Sequence, residues 1–481
     1  MMNNNFYRKI GFGIRRQSQV PKDPLSWALD QVDKDFGIKW PMPVPSAESL
    51  RVKYSEFRVA GDKTLRDKHK DSRVAYEQAL QKLGWELGSS YWENLELSAR
   101  HYSAINSDQP FFERLWWFWG NHFTVIDKDW LPQFLTGAYQ REVIRPKLEG
   151  NFADLLFAAT TALPMLHSLD NRFSVGPDSK FGRSLEKKGK TPTINENHAR
   201  ELLELHTVSS ETGYSQDDIT HMAYIMTGWE NPWPFKPTKF NKDMHQPGKH
   251  SVLGKTYESK SFNSKPTLEA ACQDLAVRPE TAKHLAFKLV RHFISDNPTS
   301  QMTAPIEAAW IESNGHLPTV HKKLAEVIYQ FKDQPKFQQP EVWLVQVANI
   351  LGINWPMPAS MFQHDFKFEP SAEIKLISFA LQELGHSPYR AKQPNGFSDV
   401  SEDWISPELL IRRLAISRRV IEGPADKNPY KQNQRQRYFD IDSIVALNFK
   451  NPEEVNALLS KVEKPEHKLE LLLSSEEMLF A

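Results

Sequence analysis

The stretch FFERLWWFWGNHFTV, residues 111 to 125, contains the most aromatic window of the chain. Drawn as a helix, it is apolar on all sides, which is typical of a helix buried inside a protein. Two polar residues, Asn121 and His122, lie near its end. Because buried polar groups need hydrogen-bond partners, His122 is interpreted either as a bonded core histidine or as a proton shuttle.

Helical patterns continue in both directions from this stretch, and strand signals are scarce. We therefore predict an all-α fold: a large multi-helix globular protein with long irregular loops and little or no β-structure. The 481 residues are expected to form a single helical body. Its expected sub-units are 1–173 (N-terminal helices), 193–300 (helices with an irregular proline-rich segment) and 301–481 (C-terminal helices), with a mobile surface loop at 174–192.

Composition excludes several classes of protein. Sixty basic residues balance sixty acidic ones, so no net field attracts nucleic acid or an anionic membrane, and no nucleic-acid partner is expected. The only cysteine, Cys272, excludes an intramolecular disulfide and thiolate zinc clusters. The chain lacks an apolar run of about 18 residues, so no transmembrane segment is expected. Its N-terminus shows no apolar run of signal-peptide length, so no export signal is expected in it.

A second stretch, TINENHARELLELHTV at 193 to 208, gathers polar residues on one face of a predicted helix. At about 100° per residue, Asn197, Glu201 and Glu204 form a narrow stripe, and Arg200 flanks it. Glu201 beside Glu204 is a like-charge pair, from which a purely structural helix gains nothing. Such a pair can coordinate a hard cation, or can raise one pKa so that one carboxyl acts as acid and the other as base.

A structural interpretation of the same helix competes with this one. Its polar stripe would face water, with Glu196, Arg200 and Glu204 forming i,i+4 ion pairs. The segments Thr193–Glu196 and Ser215–Asp218 also fit the capping box, in which two side chains bond free backbone N–H groups at a helix start. Glu196 and Asp218 are therefore predicted to be capping residues.

These residues resemble a bacterial family. The run NENHARELLELHTV, followed by GYSQDDI and TGW, is similar to the signature of the "domain of unknown function 1800" family, which reads approximately NENYARELLELFTLG, GYTQEDV and ALTGW. His198 and His206 stand where that family tends to have aromatic residues. The resemblance extends over most of the chain through further ordered blocks: RKIGFG (8–13), FWGNHFTV (118–125), SLDN (168–171), HQPGKHSVLG (245–254), RPETAKHLAFKLVRHFIS (278–295) and PNGFSDVSEDWISPELLIRRL (394–414).

The resemblance implies a bacterial protein of uncharacterised function. Members of the family are commonly exported, and they are often encoded beside members of a sulfatase-like family. A periplasmic or exported location and a sulfatase-like partner are therefore what the resemblance implies. The expected absence of an export signal in this chain departs from that habit and leaves its compartment open.

Two functional hypotheses follow. The first is an enzyme that acts on an envelope polysaccharide or its ester, with tryptophans such as Trp119, Trp229 and Trp233 stacking on sugar rings. Its proposed acid–base or cation-binding residues are Glu201, Glu204, His122 and His245. Its proposed substrate-binding residues are Asn197, Arg200, Lys249 and Trp229.

The second hypothesis is a non-catalytic helical scaffold that binds the sulfatase-like protein, with its polar residues holding loops in place. A concave pocket with the two glutamates at its floor would favour the enzyme. An exposed apolar patch without a cleft would favour the scaffold. The sequence identifies neither a metal nor a cofactor.

Overall fold

The aromatic window forms a helix that is surrounded by protein on every side. The structure is a computed structural model, and it describes residues 4–33, 37–41, 43–259, 265–353, 372–422 and 439–481. Within these residues the chain forms 24 α-helices and two small antiparallel sheets. The prediction of an all-α fold with little β-structure is confirmed.

The helices of the N-terminal part are α1 (Asn4–Ile10), α2 (Pro24–Asp30), α3 (Ala47–Val59), α4 (Arg66–Lys68), α5 (Arg73–Glu86), α6 (Ser89–Asn106), α7 (Pro110–His122), α8 (Leu131–Tyr139), α9 (Phe152–Thr161) and α10 (Leu163–Ser168). Those of the middle part are α11 (Lys180–Glu186), α12 (Glu196–Glu204), α13 (Gln216–Met226), α14 (Lys265–Ala276) and α15 (Pro279–Phe293). The C-terminal part contains α16 (Ser300–Glu312), α17 (Leu317–Gln330), α18 (Pro340–Ile350), α19 (Ala372–Glu383), α20 (Pro407–Glu422), α21 (Ile441–Asn448), α22 (Pro452–Leu459), α23 (Pro465–Leu473) and α24 (Glu476–Leu479).

The β-structure lies in the proline-rich segment after α13. Strand β1 (Trp229–Glu230) pairs antiparallel with β2 (Lys239–Phe240), with Trp229 opposite Phe240. Strands β3 (Gly248–Val252) and β4 (Lys255–Ser259) form a hairpin in which Val252 faces Lys255. The segment 174–192, predicted to be an irregular loop, contains the short helix α11, which begins after the N-cap Ser179.

Helix α7 is the centre of the packing. Its aromatic side chains are buried, and the indole N–H groups of Trp116 and Trp119 donate to the carbonyl of Gln140 (2.8 Å) and to Nε2 of His321 (3.0 Å). Gly120 allows Gln140, the residue after α8, to approach α7 closely, because a Cβ at position 120 would lie 2.6 Å from Oε1 of Gln140. The helix is therefore enclosed by apolar contacts on all sides, as its sequence predicts.

Buried ion pairs tie α7 and its neighbours together. Glu113 on α7 accepts two hydrogen bonds of 2.8 Å from Arg145. Arg100 on α6 donates to both oxygens of Glu341 on α18, at 2.9 and 3.0 Å. Burial raises the pKa of Glu341, but Arg100 and His101 outweigh it and hold that pKa at about 2. These bidentate pairs fix the register between helices that apolar packing alone would leave less specific.

No helix in the described part of the chain combines the length and the apolar composition that crossing a membrane requires. The C-terminal helices are bonded to distant parts of the chain. Asn448 on α21 donates to the carbonyl of Ile14 (3.1 Å), and Ala481 exchanges two backbone hydrogen bonds with Lys336.

Removing the charge of Glu113 should destabilise the protein strongly. Glu113→Gln keeps the side-chain volume but leaves the buried guanidinium of Arg145 without its carboxylate, which costs about 3–5 kcal/mol of unfolding free energy. The matched control is Glu77→Gln, because Glu77 pairs with Arg73 at the surface (2.8 Å), where water screens the pair and its loss should cost little stability. Chemical denaturation measures both, and equal losses would contradict a central role for the buried pair.

Candidate functional site

Helix α12 carries most of the predicted site residues, and its start differs from the prediction. Asn195 is the N-cap: its side-chain oxygen accepts from the backbone N–H of His198 (3.2 Å). The predicted box at Thr193–Glu196 is therefore wrong, because the helix begins two residues later than that box requires. The second predicted box is confirmed, since Ser215 and Asp218 bond each other's backbone N–H groups at the start of α13.

Much of the polar face of α12 is bonded to the start of α13. The Glu196 carboxylate accepts from Gln216 (2.7 Å) and from Thr220 (2.9 Å). Arg200 donates to Gln216 (3.3 Å). Glu204 accepts from the hydroxyl of Tyr214 at 2.7 Å. These three residues therefore bond α13 and Tyr214, which precedes it, and the predicted i,i+4 ion pairs of Glu196, Arg200 and Glu204 are not formed among the described residues.

Glu201 and Asn197 differ from their neighbours. Burial, followed by the nearby Glu204 carboxylate, raises the pKa of Glu201, while Arg200 opposes the shift. Its carboxylate has no hydrogen-bond partner among the described residues, and Asn197 is exposed. The surroundings of Glu201 therefore favour its protonated form.

His245, Trp229 and Lys249 lie on the segment after α13, where His245 and Trp229 both contact the ring of Phe240. His245 donates from Nδ1 to the carbonyl of Thr227 (2.9 Å), and burial lowers its pKa to about 4. Trp229 is buried between Phe157 and Phe240, whereas Lys249 is exposed on β3. Within the described chain no hydrogen bond or ring contact joins His245 to His122 or to Glu201.

His122 lies beside the end of α12 and contacts a lysine of α15. Its Nε2 is 3.3 Å from the carbonyl of His206, and Lys288 Nζ is 3.0 Å from its Nδ1. A carbonyl can only accept, so Nε2 carries the proton and Nδ1 accepts from the lysine. Burial, followed by the charge of Lys288, lowers the pKa of His122 well below its ordinary value. A neutral imidazole thus holds the Lys288 ammonium in place.

Lys288 belongs to a polar stripe on α15. The residues His284, Phe287, Lys288 and Arg291 recur at i, i+3, i+4 and i+7 and therefore share one face of the helix. Burial lowers the pKa of Lys288, and the Asp399 carboxylate opposes that shift. In the described residues neither Lys288 nor Arg291 has a carboxylate within ion-pair distance. Arg291 stacks its guanidinium on Phe287, 4.3 Å from the ring centroid, and its Nε has no hydrogen-bond partner there.

This stripe forms one wall of a cleft of about 1000 Å³. The opposite walls come from the turn after α12 (Leu205 to Thr212), the start of α16 and the segment Lys392 to Trp404. The cleft also contains carboxylates, namely Glu211, Glu280, Glu307, Asp399 and Asp403. Its lining thus offers free cationic groups beside hydrogen-bond acceptors.

The end of α7 shapes this cleft from below. Asn121 donates to the carbonyl of Phe397 and accepts from its backbone N–H, both at 2.8 Å. Gly396 permits the contact, since its φ is +74° and a Cβ would lie 2.6 Å from the side-chain oxygen of Asn121. Asp399 then bonds Nδ1 of His292 at 2.6 Å. The loop that closes the cleft is therefore held at a fixed distance from α15.

None of Lys288, Arg291 and His284 is among the site residues predicted from the sequence. The available signal is their helical spacing on a helix whose other face is apolar, although surface helices commonly show such a stripe. His122 is the predicted catalytic residue that contacts this stripe. The described residues contain no group of three His, Cys, Asp or Glu side chains that could hold a metal ion, so the cation-binding hypothesis for Glu201 and Glu204 gains no third ligand.

The fold and this site define an all-α protein with a cleft of mixed charge. The chain matches the family described as "Protein of unknown function (DUF1800)" over residues 5–480. It therefore belongs to that family, and the resemblance seen in its sequence is confirmed. Comparison with curated proteins and with solved structures found no match.

His198, which stands where the family tends to have an aromatic residue, should make the protein sensitive to acid. It is buried, neither ring nitrogen has a hydrogen-bond partner in the described residues, and burial lowers its pKa to about 3. The unfolded chain therefore binds the proton more readily, so stability is fully present above about pH 6.5 and is lost as pH falls toward 3. Each pH unit in that window costs about 1.4 kcal/mol.

His198→Phe removes this titration. Between about pH 6 and pH 4, the variant should lose roughly 2–3 kcal/mol less unfolding free energy than the unmodified chain. Denaturant titrations at each pH measure the difference. The exposed His467, changed to Phe, is the control and should follow the unmodified chain. Parallel curves for His198→Phe and the unmodified chain would contradict the assignment.

Proposed function

We propose that the protein binds an anionic, hydroxyl-bearing ligand in the cleft of α15, with Lys288 and Arg291 as its charged anchors. The observation that carries the proposal is that these two cations line a large cleft without a carboxylate partner in the described residues. Lys288 uses one N–H on His122, which leaves two for a ligand. Arg291 presents a planar guanidinium suited to a carboxylate or phosphoryl group.

The same geometry gives the other residues supporting roles. His122 is a positioning residue, because it orients the Lys288 ammonium and does not itself line the cleft. His284 donates from Nε2 to the carbonyl of Leu205 (3.3 Å), and burial lowers its pKa to about 4. Its neutral ring therefore adds no positive charge at neutral pH. The carboxylates of the cleft suit the hydroxyl groups of a ligand.

The proposal is tested by thermal shift with four probes at constant ionic strength: inorganic phosphate, sulfate, citrate and galacturonate. At least one should raise the melting temperature of the unmodified protein. Lys288→Met removes a charge-assisted hydrogen bond and should weaken binding roughly ten- to hundredfold. Lys461→Met removes an exposed lysine outside the cleft and should leave the shift unchanged. No shift with any probe, or equal shifts in both variants, would contradict the proposal.

Acid–base catalysis at Glu201 and Glu204 on an envelope polysaccharide or ester stays a hypothesis. What supports it is the raised pKa of Glu201 next to a second carboxyl that is bonded to Tyr214. In this hypothesis Asn197 and Arg200 are the nearest substrate-binding groups. His245, Lys249 and Trp229 would have to act from elsewhere, because they lie on the segment after α13.

Glu201→Gln tests this catalytic hypothesis. The substitution removes a carboxyl that Glu204 repels, so we expect the melting temperature to stay within about one degree. The variant should no longer hydrolyse acetylated polygalacturonate, and the released acetate measures this activity. Glu312→Gln is the control and should keep the activity, because Glu312 is an exposed carboxyl at the end of α16 that does not line the cleft. A variant that hydrolyses as fast as the unmodified chain would exclude Glu201 as the acid or base.

The alternative of a non-catalytic scaffold that binds a sulfatase-like protein rests on the family resemblance alone. It requires no ligand in the cleft and therefore predicts that no small anion depends on Lys288 for binding.

A further inference from the structure

A second surface, away from the residues that line the cleft, exposes two large aromatic rings. Phe173 is 61% exposed and Trp233 is 54% exposed. Between them lie the guanidinium of Arg172 and the ring of Phe235, and each consecutive pair is in contact. Trp233 lies 5.3 Å from Phe235 between ring centroids, and the Cζ atom of Arg172 lies 5.0 Å from Phe235 and 4.4 Å from Phe173. We call these four residues the aromatic–arginine surface.

The segment that presents Trp233 is anchored. Phe235 is buried, and its ring lies 4.7 Å from that of Tyr54 on α3. The carbonyls of Pro234 and Phe235 accept from Ser55 and Arg51, also on α3. Trp233 is therefore exposed although its neighbours are fixed, which lowers the entropy that a ligand must remove on binding.

Arg172 has unused hydrogen-bonding capacity at the centre of this surface. Its guanidinium lies between the rings of Phe173 and Phe235, its buried Nε has no hydrogen-bond partner, and its two Nη groups donate no hydrogen bond to a described residue. No carboxylate of the described residues lies within ion-pair distance of it. A guanidinium held between two rings has its edge free to bond an anion in the plane of the group.

The surface continues into an open groove along α3. This groove has a volume of about 540 Å³ and lies beside the Trp233 segment, because Arg51 and Ser55, which bond that segment, line it. Val52, Val59 and Glu56, whose carboxylate pairs with Lys53, also line it. An elongated occupant can therefore extend from the aromatic rings along the helix.

We propose that the aromatic–arginine surface binds an acidic oligosaccharide chain. The C–H faces of its sugar rings would stack on Trp233 and Phe173, and a carboxylate or sulfate on the chain would bond Arg172. Such a chain combines the flat apolar faces and the single negative charges that this surface complements. The site is independent of the α15 cleft, so it stands whether or not the cleft binds an anion.

Affinity electrophoresis of the full chain tests this inference. Native gels contain polygalacturonate, neutral hydroxyethylcellulose or poly-glutamate, which has the charge of polygalacturonate without its rings. We expect polygalacturonate to retard the protein most strongly. Trp233→Ala and Phe173→Ala should each weaken that retardation about fivefold or more. Arg172→Gln should abolish the preference for polygalacturonate over the neutral polymer.

Leu458→Ala is the matched control, because it removes an exposed apolar side chain on α22 and should retain full retardation. Circular dichroism of each variant confirms that it is folded. The inference would be overturned if polygalacturonate did not retard the protein, or if it retarded Trp233→Ala as strongly as the unmodified chain. Equal retardation by poly-glutamate would also overturn it, because it would indicate binding of an acidic peptide or of charge alone.

Discussion

The structure depends on the complete burial of α7. A helix that is aromatic on all sides must be enclosed, and every polar group that it carries must find a partner inside the protein. Glu113 pairs with Arg145, and two further polar residues, Asn121 and His122, lie at the C-terminal end of the helix. Asn121 bonds the backbone of Phe397 and His122 bonds Lys288. The bonds that satisfy the buried end of α7 therefore also hold the loop at Phe397 and the side chain of Lys288 in the cleft.

The electrostatics of the cleft follow from this arrangement. A lysine that is half-buried beside a neutral histidine loses much of its hydration without gaining a carboxylate, so its charge is available to a ligand. Arg291 is in the same position, because its guanidinium stacks on Phe287 and spends no hydrogen bond on a described residue. The Asp399 carboxylate is bonded to His292 and to Gln339, and it attracts Lys288 without lying within ion-pair distance of it. Lys288 and Arg291 thus line the cleft without an ion-pair partner among the described residues, at moderate cost to stability because both remain in reach of water.

Sequence periodicity predicts most of the fold. The enclosed α7, the cap at Ser215 and the scarcity of strands all follow from local patterns, because helix burial and capping depend on residues within a few turns. The start of α12 shows the limit of such patterns: Thr193 and Asn195 both suit an N-cap, and the backbone selects Asn195, whose side chain also bonds the carbonyl of Leu169. That long-range bond cannot be seen in the sequence.

The cleft itself could not be predicted in the same way. His122 and Lys288 are 166 positions apart, and no local pattern records that they touch. Helix α12 contains many polar residues, and the sequence therefore suggests a site there. In the structure, however, Glu196, Arg200 and Glu204 form hydrogen bonds with α13 and Tyr214. The polar stripe of α15 is sparser, but tertiary packing places it in a cavity. The number of polar residues in one stretch of sequence is therefore a weaker guide to a binding site than their position in the folded structure.

The proposed function requires Lys288 to be a desolvated, ligand-accessible cation held by His122. Its most direct test is the titration of the Lys288 side chain by NMR, in protein labelled at lysine Cε and assigned with the Lys288→Met variant. Burial lowers the pKa of Lys288, so we predict a titration below the ordinary lysine value of about 10.4 and a shift of the same signal when galacturonate or phosphate is added. A signal that titrates at the ordinary value and does not respond to either anion would contradict the claim.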